Sequence, residues 1–107
     1  MAQRLAEFAT STETAAIPSR VRPRAALLLL DTLGCGLAAV ATGGAAAATA
    51  VAVDQGGREE ATLLGAQPRV PAPVAALANG TRCHALDFDD THERGICHSS
   101  AVVAPAA

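Results

Sequence analysis

Between Thr32 and Val53 the chain carries no charged residue, and this stretch limits its possible folds more than any other feature. With the residues before it, it forms a run through Leu27, Leu28, Leu30, Asp31, Leu33, Leu37 and Val40. That run is too long for a strand and is spaced like a helix. The helix is expected to open around Ile17-Pro18-Ser19, with Pro23 tolerated in its first turn, and to end near Thr42-Gly43-Gly44. Gly34 and Gly36 inside it cost about 1 kcal/mol each relative to alanine, a loss that close packing of a second helix on their bare backbone offsets. The uncharged stretch is long enough to cross a bilayer, but it is built from alanine, glycine and threonine rather than leucine and isoleucine. A buried or interfacial helix pair is therefore the expectation, and a membrane span is not.

The flanking segments read as further helices. Leu5, Phe8 and Ala9 are spaced for a short docking helix over Met1 to Thr10, followed by a polar turn at Ser11-Thr12-Glu13-Thr14. Ala45 to Gln55 predicts a third helix, ending at Gly56-Gly57, a pair suited to a left-handed cap. Ala61-Thr62-Leu63-Leu64-Gly65 and the proline-punctuated loop from Pro68 to Pro73 read as irregular or briefly extended. From Val74 another helix is expected, started by Pro71 and Pro73. If it runs on to Thr91, it places His84, Asp87 and Thr91 on one face, with Asp89 projecting elsewhere. A last helix is expected from Ala101, capped by Ser99 or Ser100. The fold class is all-α, with helices joined by short irregular segments.

A chain of 107 residues holds one domain at most, and half of its residues are apolar. Half of these are alanine, with two phenylalanines and no tryptophan or tyrosine, so a free-standing core would be poorly filled. The sequence also stops in the apolar run Val102-Val103-Ala104-Pro105-Ala106-Ala107, which reads as an incomplete domain. The basic residues are all arginine and are scattered over a chain of net charge −2. No phosphate-binding surface follows, and nucleic acid is not an expected partner. Without lysine, the chain cannot itself supply an ammonium or a Schiff base. Its three cysteines, Cys35, Cys83 and Cys97, are odd in number and come without a secretory signal, which points to a reducing cytoplasm rather than a disulfide framework.

The chemistry is concentrated from Asn79 to Ser100. All three histidines fall there, with Cys83, Cys97 and the aspartates Asp87, Asp89 and Asp90. Four readings compete. The segment can be a solvated loop with a helix cap. It can be a metal site built from Cys83, His84, Asp87, His92, Cys97 and His98, although no CxxC or HxxxH pair is present. Asp87-Phe88-Asp89-Asp90-Thr91 formally satisfies the DxDxT nucleophile motif of haloacid-dehalogenase-like phosphotransferases, but the residues before it are not an apolar strand. Asp89-Asp90-Thr91-His92-Glu93 loosely resembles the acidic magnesium motif of helical prenyl-chain enzymes, in a chain too poor in aromatics for such a pocket.

Taken in order, several landmarks resemble the N-terminal part of the MmgE/PrpD family, which includes 2-methylcitrate dehydratase, cis-aconitate decarboxylase and iminodisuccinate epimerase. They are Leu5-Ala6-Glu7-Phe8, Leu29-Leu30-Asp31-Thr32-Leu33-Gly34, Ala61-Thr62-Leu63-Leu64-Gly65, Ala75 to Thr81, and the run from His84 to His92. The resemblance implies the N-terminal part of a large helical domain, covering residues 1–107, with a further helical and an α+β part outside them. It implies a lyase-type enzyme acting on small polycarboxylates without metal or organic cofactor. The expected reaction is 2-methylcitrate dehydratase-like, with cis-aconitate decarboxylation or epimerisation as alternatives. Asp87, Thr91 and His98 take the places of catalytic residues, and His84, Asp90 and Ser99 support them. His98 stands for the histidine of an "HPS" motif, here His98-Ser99-Ser100 after the insert Glu93-Arg94-Gly95-Ile96-Cys97. By the same resemblance the whole protein is a cytoplasmic homodimer, and these residues alone are inactive. A non-catalytic helical assembly module is the alternative from another class.

Overall fold

The long apolar run forms one helix, and the glycine pair stops it where the sequence predicts. A computed structural model describes residues 1–107 and contains five α-helices and no strand. They are α1 (Ala2–Ser11), α2 (Val21–Thr42), α3 (Ala46–Gln55), α4 (Ala72–His84) and α5 (Ser99–Val103), with 3₁₀ turns at Thr14–Ala16 and Ala104–Ala106. Gly43 closes α2 in the left-handed conformation, at φ 76°. Its N–H donates to Val40 O, and the N–H of Gly44 donates to Ala39 O at 2.7 Å, the paired pattern of a Schellman cap. The uncharged stretch is thus broken into α2 and α3.

Which face of α2 turns inward is set by size. Its buried residues are Thr32, Cys35, Gly36 and Ala39, one stripe at spacings of three and four, and it packs on α4. A Cβ on Gly36 would meet Leu64 Cδ1 at 2.8 Å and Cys83 Sγ at 3.0 Å, so the close approach expected of a bare backbone holds at this glycine. It does not hold at Gly34, which has nothing within 4 Å. The leucines point the other way: Leu27, Leu29, Leu30, Leu33 and Leu37 are all exposed. By length and composition α2 could cross a membrane, with 22% of its most apolar window buried inside the chain. α1 buries nothing, so its expected docking is not made within these residues.

The core lies where α3 and α4 meet the segment that connects them. Ala52 of α3 and Ala75 and Ala78 of α4 pack around Leu63 and Val70 from the connecting segment. That segment is briefly extended, as expected: Ala61 and Val70 exchange N–H···O bonds of 2.9 and 3.0 Å in an antiparallel bridge. Two polar side chains of α4 hold it. The Asn79 amide donates to Thr62 O and accepts from the Leu64 N–H, both at 2.9 Å. The buried Arg82 guanidinium donates to Leu64 O and to Thr49 Oγ1 of α3. Even so, the chain exposes 7607 Å², against about 5,500 Å² for a folded monomer of its mass.

α4 does not continue to Thr91. It ends at His84, and the chain leaves in turns, so the single helical face carrying His84, Asp87 and Thr91 does not exist. The dense aspartates explain this, since short acidic side chains compete with the helix for backbone donors and favour caps and turns.

Two helical glycines should respond oppositely to alanine. Gly34→Ala, facing open space, is expected to stabilise by about 0.5–1 kcal/mol through helix propensity. Gly80→Ala puts a Cβ 2.9 Å from the backbone oxygen of Ala101, and is expected to destabilise by about 1–3 kcal/mol. Asn79→Ala should cost about 1–3 kcal/mol by stranding the Leu64 N–H and the Thr62 carbonyl. Urea unfolding followed by circular dichroism reads all three, and equal effects of the two glycine variants would refute the packing described.

Candidate functional site

His84 is the last residue of α4, and the chain reverses beneath it. The N–H of Asp87 donates to His84 O at 3.0 Å, and Asp87 adopts a left-handed φ of 50°, which aspartate tolerates better than most residues. This reversal brings Asp89 under the helix end with its side chain fully buried. Asp89 Oδ1 lies 2.9 Å from His84 Nδ1, and Asp89 Oδ2 lies 3.4 Å from His98 Nδ1. His98 Nε2 is 3.8 Å from Asp87 Oδ1. The two imidazoles sit 4.6 Å apart, centre to centre, tilted by 54°.

His98 reaches this position by way of a closed turn. The N–H of His92 donates to Cys97 O at 2.9 Å, and the N–H of Gly95 donates to His92 O and to His92 Nδ1. A Cβ on Gly95 would lie 2.8 Å from His92 Nδ1, so any larger residue there would push the exposed His92 ring aside. Residues 93–96 therefore loop out and leave the ends of the segment together. α5 begins at Ser99 with His98 as its N-cap residue, and the carboxylate of Asp90 accepts the Ser100 N–H at 3.1 Å. The expected serine cap of a helix starting at Ala101 is thus corrected. Asp90 does the capping, and Ser99 is exposed with its Oγ 3.5 Å from Cys97 Sγ.

The imidazoles line an open cleft of about 790 Å³ between α4 and α5, walled by Leu77, Ala76, Ala101 and Val102, with Thr81 and Cys97 at its polar side. Asp89 raises the pKa of His84 above the ordinary imidazole value, chiefly by accepting its hydrogen bond. Desolvation works against this, and the charges of Asp89 and Asp87 add to it. Burial pushes the thiols of Cys35 and Cys83 up.

Of the sequence-derived candidates, the fold gathers Asp87, His98 and His84, and uses Asp90 as a cap. It does not gather Thr91, which is exposed, makes no side-chain hydrogen bond and lines no part of the cleft. Asp89, expected to project elsewhere, is the centre of the cluster. Its only advance signal is the tendency of the Asp87-Phe88-Asp89-Asp90 run to break a helix, which moves Asp89 back under His84. The six-residue metal set is not assembled either: Cys83 packs against Gly36, and His92 Nδ1 is taken by Gly95. Three of its members, His84, Asp87 and His98, do come together with Asp89, one donor atom from each lying within 4.8 Å of the others. The 2.9 Å between His84 and Asp89 is a hydrogen bond, shorter than the roughly 3.4 Å between two ligands of a tetrahedral zinc. No strand leads into Asp87, which removes the phosphotransferase reading. The acidic-magnesium reading fares no better, because Asp89 turns inward to the imidazoles.

Fold and cluster together define an all-helical domain carrying two imidazoles on one buried carboxylate, an arrangement suited to holding and moving protons. The chain belongs to the MmgE/PrpD family: the family's N-terminal domain matches residues 3–107. It is also similar to the cis-aconitate decarboxylase-like protein oryM of Aspergillus oryzae (strain ATCC 42149 / RIB 40), at 30% identity over 102 residues. That alignment covers 95% of this chain and 21% of the relative's length. No solved structure is significantly similar.

Because its pKa is raised in the folded state, protonated His84 adds stability that is fully present below about pH 6.5. That contribution is lost as pH rises through the folded value. Thermal melts between pH 5.5 and 8.5 should show a decline that His84→Gln flattens; a decline equal in both proteins would show that the pair makes no such contribution.

Proposed function

We propose that this chain carries the acid–base residues of a lyase-type enzyme acting on small polycarboxylates, moving a proton at a carbon next to a carboxylate. The observation that supports this reading is the placement of His98 beside Asp87 at an apolar-walled cleft, in a chain of this family. Such chemistry needs a base tuned near neutral pH, cations for the substrate carboxylates and a donor for the enolate-like charge. His98 Nε2 is the base. The Asp87 carboxylate, 3.8 Å away, stabilises the imidazolium formed when His98 accepts the proton. The hydrogen bond to Asp89 raises the pKa of His84, so this ring keeps its proton to higher pH than an ordinary imidazole.

Two carboxylates, Asp87 and Asp89, flank two imidazoles that are charged only when protonated, and the chain has no lysine. Residues 1–107 thus offer no surplus of positive charge for a polycarboxylate, and the remaining cations come from outside them. Thr91 holds its place as a donor by family resemblance alone.

Loss of water, in the manner of a 2-methylcitrate dehydratase, is the reaction proposed. Decarboxylation is the second reading, favoured by the name of the Aspergillus relative, with the same histidine returning a proton to the carbon that has lost carbon dioxide. By the same resemblance the whole enzyme is a cytoplasmic homodimer needing no metal or organic cofactor. The exposed leucine face of α2 favours an assembly role as well, which is compatible with either reaction.

The gene product that carries this chain should be assayed with 2-methylcitrate, citrate and cis-aconitate, following water loss and carbon dioxide release separately. His98→Asn is expected to lower kcat about 10²–10⁴-fold, with KM little changed. Undiminished turnover in that variant, or no binding of any of the three acids, would remove the proposal.

A further inference from the structure

The one buried carboxylate of the cluster has a role in neither reading so far. The Asp89 side chain is fully buried, and its two oxygens diverge toward two rings. Oδ1 is engaged by His84 Nδ1 at 2.9 Å. Oδ2 and His98 Nδ1 are both buried without a hydrogen-bond partner, and they face each other at 3.4 Å. Two unsatisfied polar atoms of complementary kind at that separation are one small ring movement from a hydrogen bond, and leaving both unpaired is costly in a buried site.

We infer that Asp89 is a positioning residue that bridges the two imidazoles, accepting Nδ1–H from His84 on one oxygen and from His98 on the other. An ionised carboxylate has no proton to give, so each ring must be the donor. In the neutral state both rings are then fixed as the Nδ1–H tautomer. The lone pair is left on Nε2, the atom that in His98 already faces Asp87 at 3.8 Å. One residue that touches no substrate thereby decides which nitrogen of each histidine is basic, as the orienting carboxylate of a catalytic triad does. This inference rests on the acid–base reading above for its functional meaning, but not for its geometry. The test has an internal standard: His92 accepts the Gly95 N–H on Nδ1, so its neutral ring must carry the opposite tautomer.

Long-range ¹H–¹⁵N correlation of the histidine side chains in the gene product, at a pH where the rings are neutral, reads all three. In the unmodified protein His84 and His98 are expected as Nδ1–H, and His92 as Nε2–H. Asp89→Asn keeps one acceptor and turns the other position into a donor, so one of the two rings should switch to Nε2–H while His92 does not change. Asp89→Glu, which keeps both acceptors, should retain both Nδ1–H signals. An Nε2–H signal from either His84 or His98 in the unmodified protein overturns the inference, whatever the variants do. So does Asp89→Asn with both rings unchanged. Rings holding these tautomers in a protein that binds no polycarboxylate would leave the inference standing and remove only the functional reading.

Discussion

Helix α4 organises this chain, and polar contacts rather than apolar bulk hold it in place. With alanine at two of its four buried positions, α4 offers its neighbours little area, at about 25 cal/mol per Å² of apolar surface removed from water. What it offers instead is closeness and direction. Ala75 and Ala78 let the connecting segment approach, and Asn79 supplies that segment with one donor and one acceptor, as a neighbouring strand would. Arg82 then joins the same segment to α3. The unpaired polar groups of an irregular segment are thereby satisfied by side chains of a helix, which is why the piece from Ala61 to Val70 can lie in the core without belonging to a sheet.

The same helix sets the position of the chemistry. Its last residue is an imidazole, and the turn after it places a carboxylate under that imidazole. A fully buried carboxylate is expensive to desolvate unless donors surround it, and here the available donors are ring nitrogens. Stability and reactivity therefore share one contact. The groups that keep Asp89 tolerable inside the fold are the imidazoles that line the cleft, so changes that loosen the reversal after His84 act on the fold and the cleft together.

Much of the architecture was legible in the sequence. The uncharged run, the glycine pair at its end and the prolines before α4 are local signals, and local signals set helix type and boundaries. Asp87 and His98, singled out by the family motifs, lie side by side, with His98 Nε2 3.8 Å from Asp87 Oδ1. Two things were not legible. Helical periodicity locates an apolar stripe but not its partner, so nothing local revealed that α2 would turn its small residues inward and its leucines outward. The end of α4 was also hidden, because Ala85 and Leu86 continue a helical pattern while the aspartates after them break it. That one misplaced boundary put Thr91 on a helical face shared with His84 and Asp87, and turned Asp89 away from it.

The pinched turn between His92 and Cys97 separates length from position. With its base closed by a backbone bridge and its first bend fixed by Gly95, the loop can gain or lose residues while His98 stays on Asp89. Each doubling of loop length costs only about 0.6 kcal/mol in closure entropy. Its tip, where Ile96 is 90% exposed, stands free beside the Cys97 edge of the cleft. The rim of this pocket can thus be redrawn while the two imidazoles on Asp89 beneath it stay in place.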